Sequence, residues 1–227
     1  MSEDVTRDRL VLRATTSSAR LRVVAEDRAD VLVDGRPQIP ESSTVTVQAR
    51  SGSLEVRVPV GTELVLGTIS GRVEVGGSIG PAKVATESGR VAIDRAERID
   101  VRTQSGRVDI ENSVGHCRVQ STSGRVSVGG AHGLDVHTES GRISVDDVQG
   151  PVHLRTTSGR VSVGLSGSSE VDAEAMSGRI DITVARGLGT TLTVEGAPRR
   201  VEADVEPGDD CLIRARAVSG RIRVRQR

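Results

Sequence analysis

The chain is 227 residues long, carries 31 basic and 31 acidic side chains for a formal charge of zero, and contains no Phe, Tyr or Trp. Its length allows a substantial core, but that core must be built from Val, Ile, Leu and Ala, and sites that stack bases or sugars on aromatic rings are excluded. Neutrality argues against a nucleic-acid-binding surface spread over the whole molecule, and two cysteines make no disulfide framework.

The first ten residues, MSEDVTRDRL, are charged where a secretory leader would need an apolar stretch of about 7 to 15 residues. No apolar run approaches the ~20 residues of a membrane span, so a soluble, cytoplasmic protein is expected. RLVLRATTSSARLRV then reads as one worn β coil, and DVLVDGRPQIPESS as an irregular capping segment. Residues 1–50 are thus expected to be a worn coil and cap, followed by one continuous repeat domain over 51–227.

From Ser51 onward the dipeptide Ser-Gly recurs at Ser51, Ser70, Ser88, Ser105, Ser123, Ser140, Ser158, Ser177 and Ser219, mostly 17 to 19 residues apart. A period of that size signals stacked repeats. Stepping back by two from each Ser gives Leu64, Leu66 and Thr68, then Ile99, Val101 and Thr103, then Leu134, Val136 and Thr138. That is a strand with one buried face. Beyond the Gly the parity flips, with Val73 and Val75, Val91 and Ile93, Val108 and Ile110, Val161 and Val163 on the buried side. Each repeat therefore reads as two short strands meeting at a Ser-Gly corner, with Gly71, Gly89, Gly106, Gly124, Gly141, Gly159, Gly178 and Gly220 supplying positive φ. The small Thr and Ser before each Gly are expected to point inward, their hydroxyls bonding to backbone or to each other.

Between Ser177 and Ser219 the spacing doubles, and Leu192, Val194, Gly196, Pro198, Val201 and Ala203 fall in the repeat's slots. This predicts a degenerate coil with Pro198-Arg199 in place of Ser-Gly, flanked by the loops ARGLGT and EPGDD. The final coil follows, with Arg214, Arg216, Arg221, Arg223, Arg225 and Arg227 in or beside its strands.

Hairpins in a β-sandwich could also use two strands per repeat, but they do not need the same small residue in every copy. A solenoid does, because each coil lies about 4.8 Å from the last and every side chain meets its own equivalent. Branched aliphatics fill the space between facing sheets about 10 Å apart, whereas a ring at each level would force them open. The expected fold is an all-β, single-domain parallel β-solenoid of about ten coils. VPVGT leading into ELVLGTISGRV, followed by repeated Thr-x-Ser-Gly-x-Val, resembles the bacterial adhesin-type β-strand-repeat family, the Toastrack domain, over residues 51–227. The resemblance implies one β-solenoid domain, often found beside envelope-stress modules, without catalytic residues to carry over. Members commonly have Asp after the Gly where this chain has Arg.

That Arg (Arg72, Arg90, Arg107, Arg125, Arg142, Arg160, Arg179, Arg221) should form an outward ladder. Glu74, Asp94, Asp109, Glu111, Asp146, Asp181, Glu202 and Asp204 share its face, so a solvated, charge-balanced surface is expected rather than a polyanion groove. Cys117 falls on the inward parity and His116 beside it points away, which predicts a structural thiol. His137, His153, His116 and His132 form loose pairs where a metal site needs three or four convergent ligands. Glu206, Asp209 and Asp210 lack the spacing of a calcium loop. Neither the clustered acids of pectate-lyase-like solenoids nor the six-residue repeat of acyltransferases appears.

These observations predict a non-enzymatic structural or protein-interaction module, without cofactor or metal, linked to envelope stress by the resemblance. A protein partner of unknown identity is expected, and a monomer, because the basic final coil would repel a second copy. The same arginines could alternatively contact an anionic surface. A bactofilin-like scaffold polymerising end to end is the first rival, and a polyanion-binding or enzymatic solenoid the second.

Overall fold

The computed structural model describes residues 9–40 and 43–227. The N-terminal stretch 1–8 and residues 41–42 of the expected cap lie outside the described residues. The described chain forms a single 12-stranded, overwhelmingly parallel sheet wound into a β-solenoid. Its elements are β1 (Val11–Thr16), β2 (Arg20–Glu26), β3 (Val31–Val33), β4 (Arg36–Gln38), β5 (Thr44–Ala49) and β6 (Ser53–Pro59). They continue as β7 (Glu63–Val148), β8 (Val152–Leu165), β9 (Ser169–Val184), β10 (Thr190–Gly196), β11 (Arg200–Asp204) and β12 (Cys211–Gln226). β7 is an uninterrupted extended run that turns at successive Ser-Gly corners.

The inward slots of the repeat are the core. Leu64, Leu66, Ile99, Val101, Leu134, Val136, Val73, Val91, Val108 and Val161 are all buried. Each stacks on its own equivalent: Leu134 on Val152, Val152 on Val171, and Val171 on Ile213. Full burial of such a side chain contributes roughly 1.5–3 kcal/mol, and stacked copies contribute it at every level.

Ser and Thr near the corner divide their roles. Thr86, Thr103, Ser121, Thr138 and Thr156 are buried, and each donates its hydroxyl to the carbonyl of the residue two places on, at 3.0–3.3 Å. The corner serines themselves are not inward: Ser88, Ser140, Ser158 and Ser177 are exposed. Their backbone carbonyl, rather than their side chain, faces the corner and accepts the threonine hydroxyl.

Stacking order departs from chain order at both ends. β1 pairs with β5 on one side and β7 on the other, and β2 lies likewise between β6 and β7. The worn coil is therefore an inner layer, covered by the coil of residues 44–59. The 50/51 boundary falls inside that covering coil, between β5 and β6. The expected cap is a hairpin, β3–β4, which lies antiparallel on β6. It turns at Asp34 (φ 47°) and Gly35 (φ 76°), an Asp-Gly pair suited to a two-residue hairpin turn. Asp34 anchors it, its amide donating to the Glu55 carbonyl at 2.8 Å and its carboxylate accepting from the Glu55 amide at 3.0 Å.

At the other end β12 pairs with β9 on one side and with β10 and β11 on the other. The degenerate coil has the expected register, with Leu192 opposite Ile213, Gly196 opposite Ala217 and Val201 opposite Ile222. It is the outermost layer, however, and the coil bearing Arg214 to Arg227 is tucked beneath it. The expectation that the basic coil ends the stack is overturned. The chain makes this reversal through the 205–210 loop. There Gly189 donates to the Asp210 carboxylate at 2.8 Å, and Thr191 donates to the Gly208 carbonyl at 2.8 Å and to Asp209 at 3.0 Å.

Candidate functional site

Glycine makes the corner and thereby the surface beside it. The eight corner glycines hold φ between 134° and 154°, a region that side chains of L-residues rarely adopt. Each also faces backbone: a Cβ on Gly124 would lie 3.0 Å from the Gly106 nitrogen, 3.1 Å from its carbonyl carbon, and nearer still to its carbonyl oxygen. The same holds from Gly89 on Gly71 through to Gly220 on Gly178. The corners thus stack as an unbroken column of bare backbone.

The residue after each glycine continues that column. Arg142, Arg160, Arg179 and Arg221 sit opposite one another in register. Two arginines outside the Ser-Gly-Arg motif extend it, Arg20 opposite Arg72 and Arg200 opposite Arg221. Sequence reading missed these two because their glycine is lost. The surviving signal is an Arg followed by apolar, polar, apolar, as in Arg20-Leu21-Arg22-Val23.

Charge along this column differs from charge along its neighbours. One row on the first-strand face alternates in sign where Arg155, Glu174, Arg216 and Glu195 succeed one another. There Arg155 meets Glu174 at 2.8 Å, and Arg216 meets Glu174 at 3.2 Å and also pairs with Glu195. In the glycine-arginine column, Arg72 reaches Glu74 at 3.5 Å, Arg90 reaches Asp109 at 3.9 Å and Arg200 reaches Glu202 at 2.6 Å. Among the described residues Arg107, Arg125, Arg142, Arg160, Arg179 and Arg221 make no ion pair. For Arg125, Arg142 and Arg160 the adjoining row explains the difference: it carries Ser127, Ser144 and Ser162 there, between Asp109 on one side and Asp181 on the other. The charge-balanced face expected from composition therefore holds at the ends of the column and not at its centre. Guanidinium groups one rung apart, ~4.8 Å, repel by about 0.9 kcal/mol per neighbour in water, over distances shorter than the ~8 Å screening length of physiological salt. Together they line an open groove whose walls are arginine and whose floor is glycine.

The C-terminal arginines are distributed differently from expectation. Arg221 belongs to the column. Arg223 donates to Glu202 at 2.6 Å, and Arg225 lies 3.8 Å from the same carboxylate. Arg214 stands opposite Asp172 and Thr193, and Arg227 donates its amide to the Val184 carbonyl. The acidic partners of this coil come from both of its neighbours, Glu195 and Glu202 from the covering coil and Glu174 from β9. The hydrogen bond from Arg223 holds the Glu202 carboxyl below its ordinary value, and that from Arg216 does the same for Glu195.

Cys117 is fully buried, and burial pushes its thiol up to about 12. That is the reverse of what a nucleophile needs. Cys211 is also buried and raised by the same cause, and both thiols are free. The glycine column from Gly124 through Gly141, Gly159 and Gly178 to Gly220 puts their coils four steps apart, where chain order implied five. His137 and His153 sit on neighbouring rungs, opposite Arg155 and Asp135 respectively. No group of three or more metal-binding side chains occurs among the described residues. A second hollow, on the first-strand face, mixes Ile69, Glu87, Arg102, Gln104, His137 and Glu139 without a common charge.

The fold and its surface define a β-solenoid module with rows of repeated side chains. The chain matches the family model described as Toastrack DUF4097 over residues 38–209 and belongs to that family. No curated protein matches it, and no solved structure does. No helix among the described residues is long and apolar enough to cross a membrane.

Proposed function

We propose that the chain is a non-catalytic binding module that presents straight rows of side chains to an extended partner. The observation that carries this reading is the glycine-arginine column, a row of like charge where the row through Arg155, Glu174, Arg216 and Glu195 alternates. Alternation neutralises a surface, whereas repetition of one sign leaves a field that favours an anionic partner. Catalysis asks for convergent groups of shifted pKa. Here the side chains diverge in parallel, and the shifted groups are surface ion pairs and core thiols. Free thiols suit a reducing compartment, which supports a cytoplasmic location. The link to envelope stress rests on the family resemblance.

A monomer fits this reading better than a filament, because the β3–β4 hairpin occupies the outer edge of β6, which end-to-end growth would need. Light scattering should give the 23.9 kDa monomer mass across the micromolar range, and a mass that climbs with concentration would favour the scaffold reading. The binding reading itself is tested by capturing ligands from a cell extract on the wild type and on row variants. Capture should depend on Arg125, Arg142 and Arg160. Equal capture by a variant with all three changed to Gln would overturn it.

A further inference from the structure

We propose that the glycine-arginine column binds linear inorganic polyphosphate. This rests on the reading of the chain as a binding module and names the ligand of its like-charged row. A guanidinium fork matches phosphate oxygens two at a time, and Arg107, Arg125, Arg142, Arg160, Arg179 and Arg221 supply six such forks, free of ion pairs among the described residues. They follow the stacked corners in register, one per rung. Ser127, Ser144 and Ser162 lie in the adjoining row and add hydroxyl donors where the carboxylates stop. The floor is glycine backbone, so a slender chain can lie close to the sheet without meeting a side chain.

Other polyanions fit less well. Single-stranded nucleic acid draws much of its affinity from stacking on aromatic faces, and the chain has no aromatic residue. A sulfated polysaccharide places its charges on bulky sugar rings, which a narrow glycine floor suits less well than a bare phosphate chain, and tighter binding of heparin than of polyphosphate would overturn the assignment. The groove is lined by glycine and arginine and bordered at its centre by the serine row, and its lining holds no amide side chain to pair with adenine and no carboxylate to accept from cytosine. Duplex DNA winds its phosphates away from a straight row and meets it over a short arc. A flexible phosphate chain has no bases or sugars to accommodate and follows the whole column.

The test is titration of the full chain with sodium polyphosphate of defined lengths, followed by calorimetry and by the shift of melting temperature on binding. Affinity should rise with chain length until the polymer spans the six free arginines, and should fall steeply with salt. Changing Arg125, Arg142 and Arg160 together to Gln should weaken binding by at least about tenfold and lower the salt slope by about three, one per lost phosphate contact. A control carrying Arg102→Gln, Arg118→Gln and Arg155→Gln, on the first-strand face, should bind as the wild type does. Should the triple variant fail to fold, Arg142→Gln alone and Ser144→Ala should each weaken binding measurably. Absence of binding at low salt, affinity independent of chain length, or equal loss in the control overturns the proposal. So does tighter binding of duplex or single-stranded DNA at equal phosphate concentration. Row-dependent capture from extract without polyphosphate binding would leave the binding-module reading intact and remove this ligand alone.

Discussion

Replacing Gly124 by Val tests whether the corner is forced. Gly124 has φ 134°, and its missing side chain faces the Gly106 backbone, with nitrogen and carbonyl carbon 3.0 and 3.1 Å from where a Cβ would stand. Backbone cannot swing aside as a flexible side chain can, so two coils must separate or the corner must change conformation. Holding a non-glycine residue in such a region costs about 1–3 kcal/mol, and forcing carbon into filled space roughly another 1–3 kcal/mol. At ~2–4 °C per kcal/mol for a chain of this size, melting followed by circular dichroism should fall by roughly 4–24 °C. Gly76 provides the internal control: its φ is not positive and a Cβ there meets nothing within 4 Å. Gly76→Ala should be neutral or stabilise by about 0.4–1 kcal/mol through the unfolded chain. Arg125→Ala, next to the corner, should stay within about 0.5 kcal/mol, on the stabilising side because it relieves like-charge repulsion. If Gly124→Val melts within about 2 °C of these two controls, the argument for a forced corner is wrong.

In a background with Cys117 and Cys211 replaced by Ala, Glu170→Cys with Leu212→Cys should form a disulfide on oxidation, since these positions are direct ladder partners. Glu170→Cys with Thr191→Cys should not, because β12 lies between; the opposite result would restore chain-order stacking. Native Cys117 should resist alkylation until the protein unfolds. Because its thiol is raised to about 12 from an ordinary 9.0, the folded state stays protonated while the unfolded state ionises. Stability should be fully present below pH 9.0, decline as pH rises towards about 12, and lose this component in Cys117→Ala. Glu202 is shifted the other way by its bond from Arg223, so its contribution is present above the ordinary 4.5 and lost on acidification. Protection of the 200–204 amides, taken relative to their intrinsic exchange rate at each pH, should fall on acidification or in Glu202→Gln, and unchanged protection would remove Glu202 as a fastener of the outer coil.

Sequence alone determined whatever depends on local spacing. Apolar parity on either side of Ser-Gly fixed which side chains are inward, and the corner glycines announced both the turn and its recurrence. Even the Pro198-Arg199 coil was legible, since register is a property of consecutive residues. What consecutive residues do not encode is which coil lies on which, because neighbouring coils carry nearly the same slots and would accept one another in several orders. Tertiary structure decided that β1–β2 and β12 lie inside the stack beneath the coils of residues 44–59 and 190–204. That order sets the electrostatics: Arg216 reaches Glu174 as well as Glu195 because β12 lies directly on β9, where chain order would have put the 190–204 coil between them. The serines beside the central arginines, by contrast, were present in the local spacing Arg-x-Ser at Ser127, Ser144 and Ser162; the stacking of those coils in register is what gathers them into one row without carboxylates. Charge composition sums over the whole surface, whereas interaction falls off within a few ångströms, and the fold chooses which charges are neighbours.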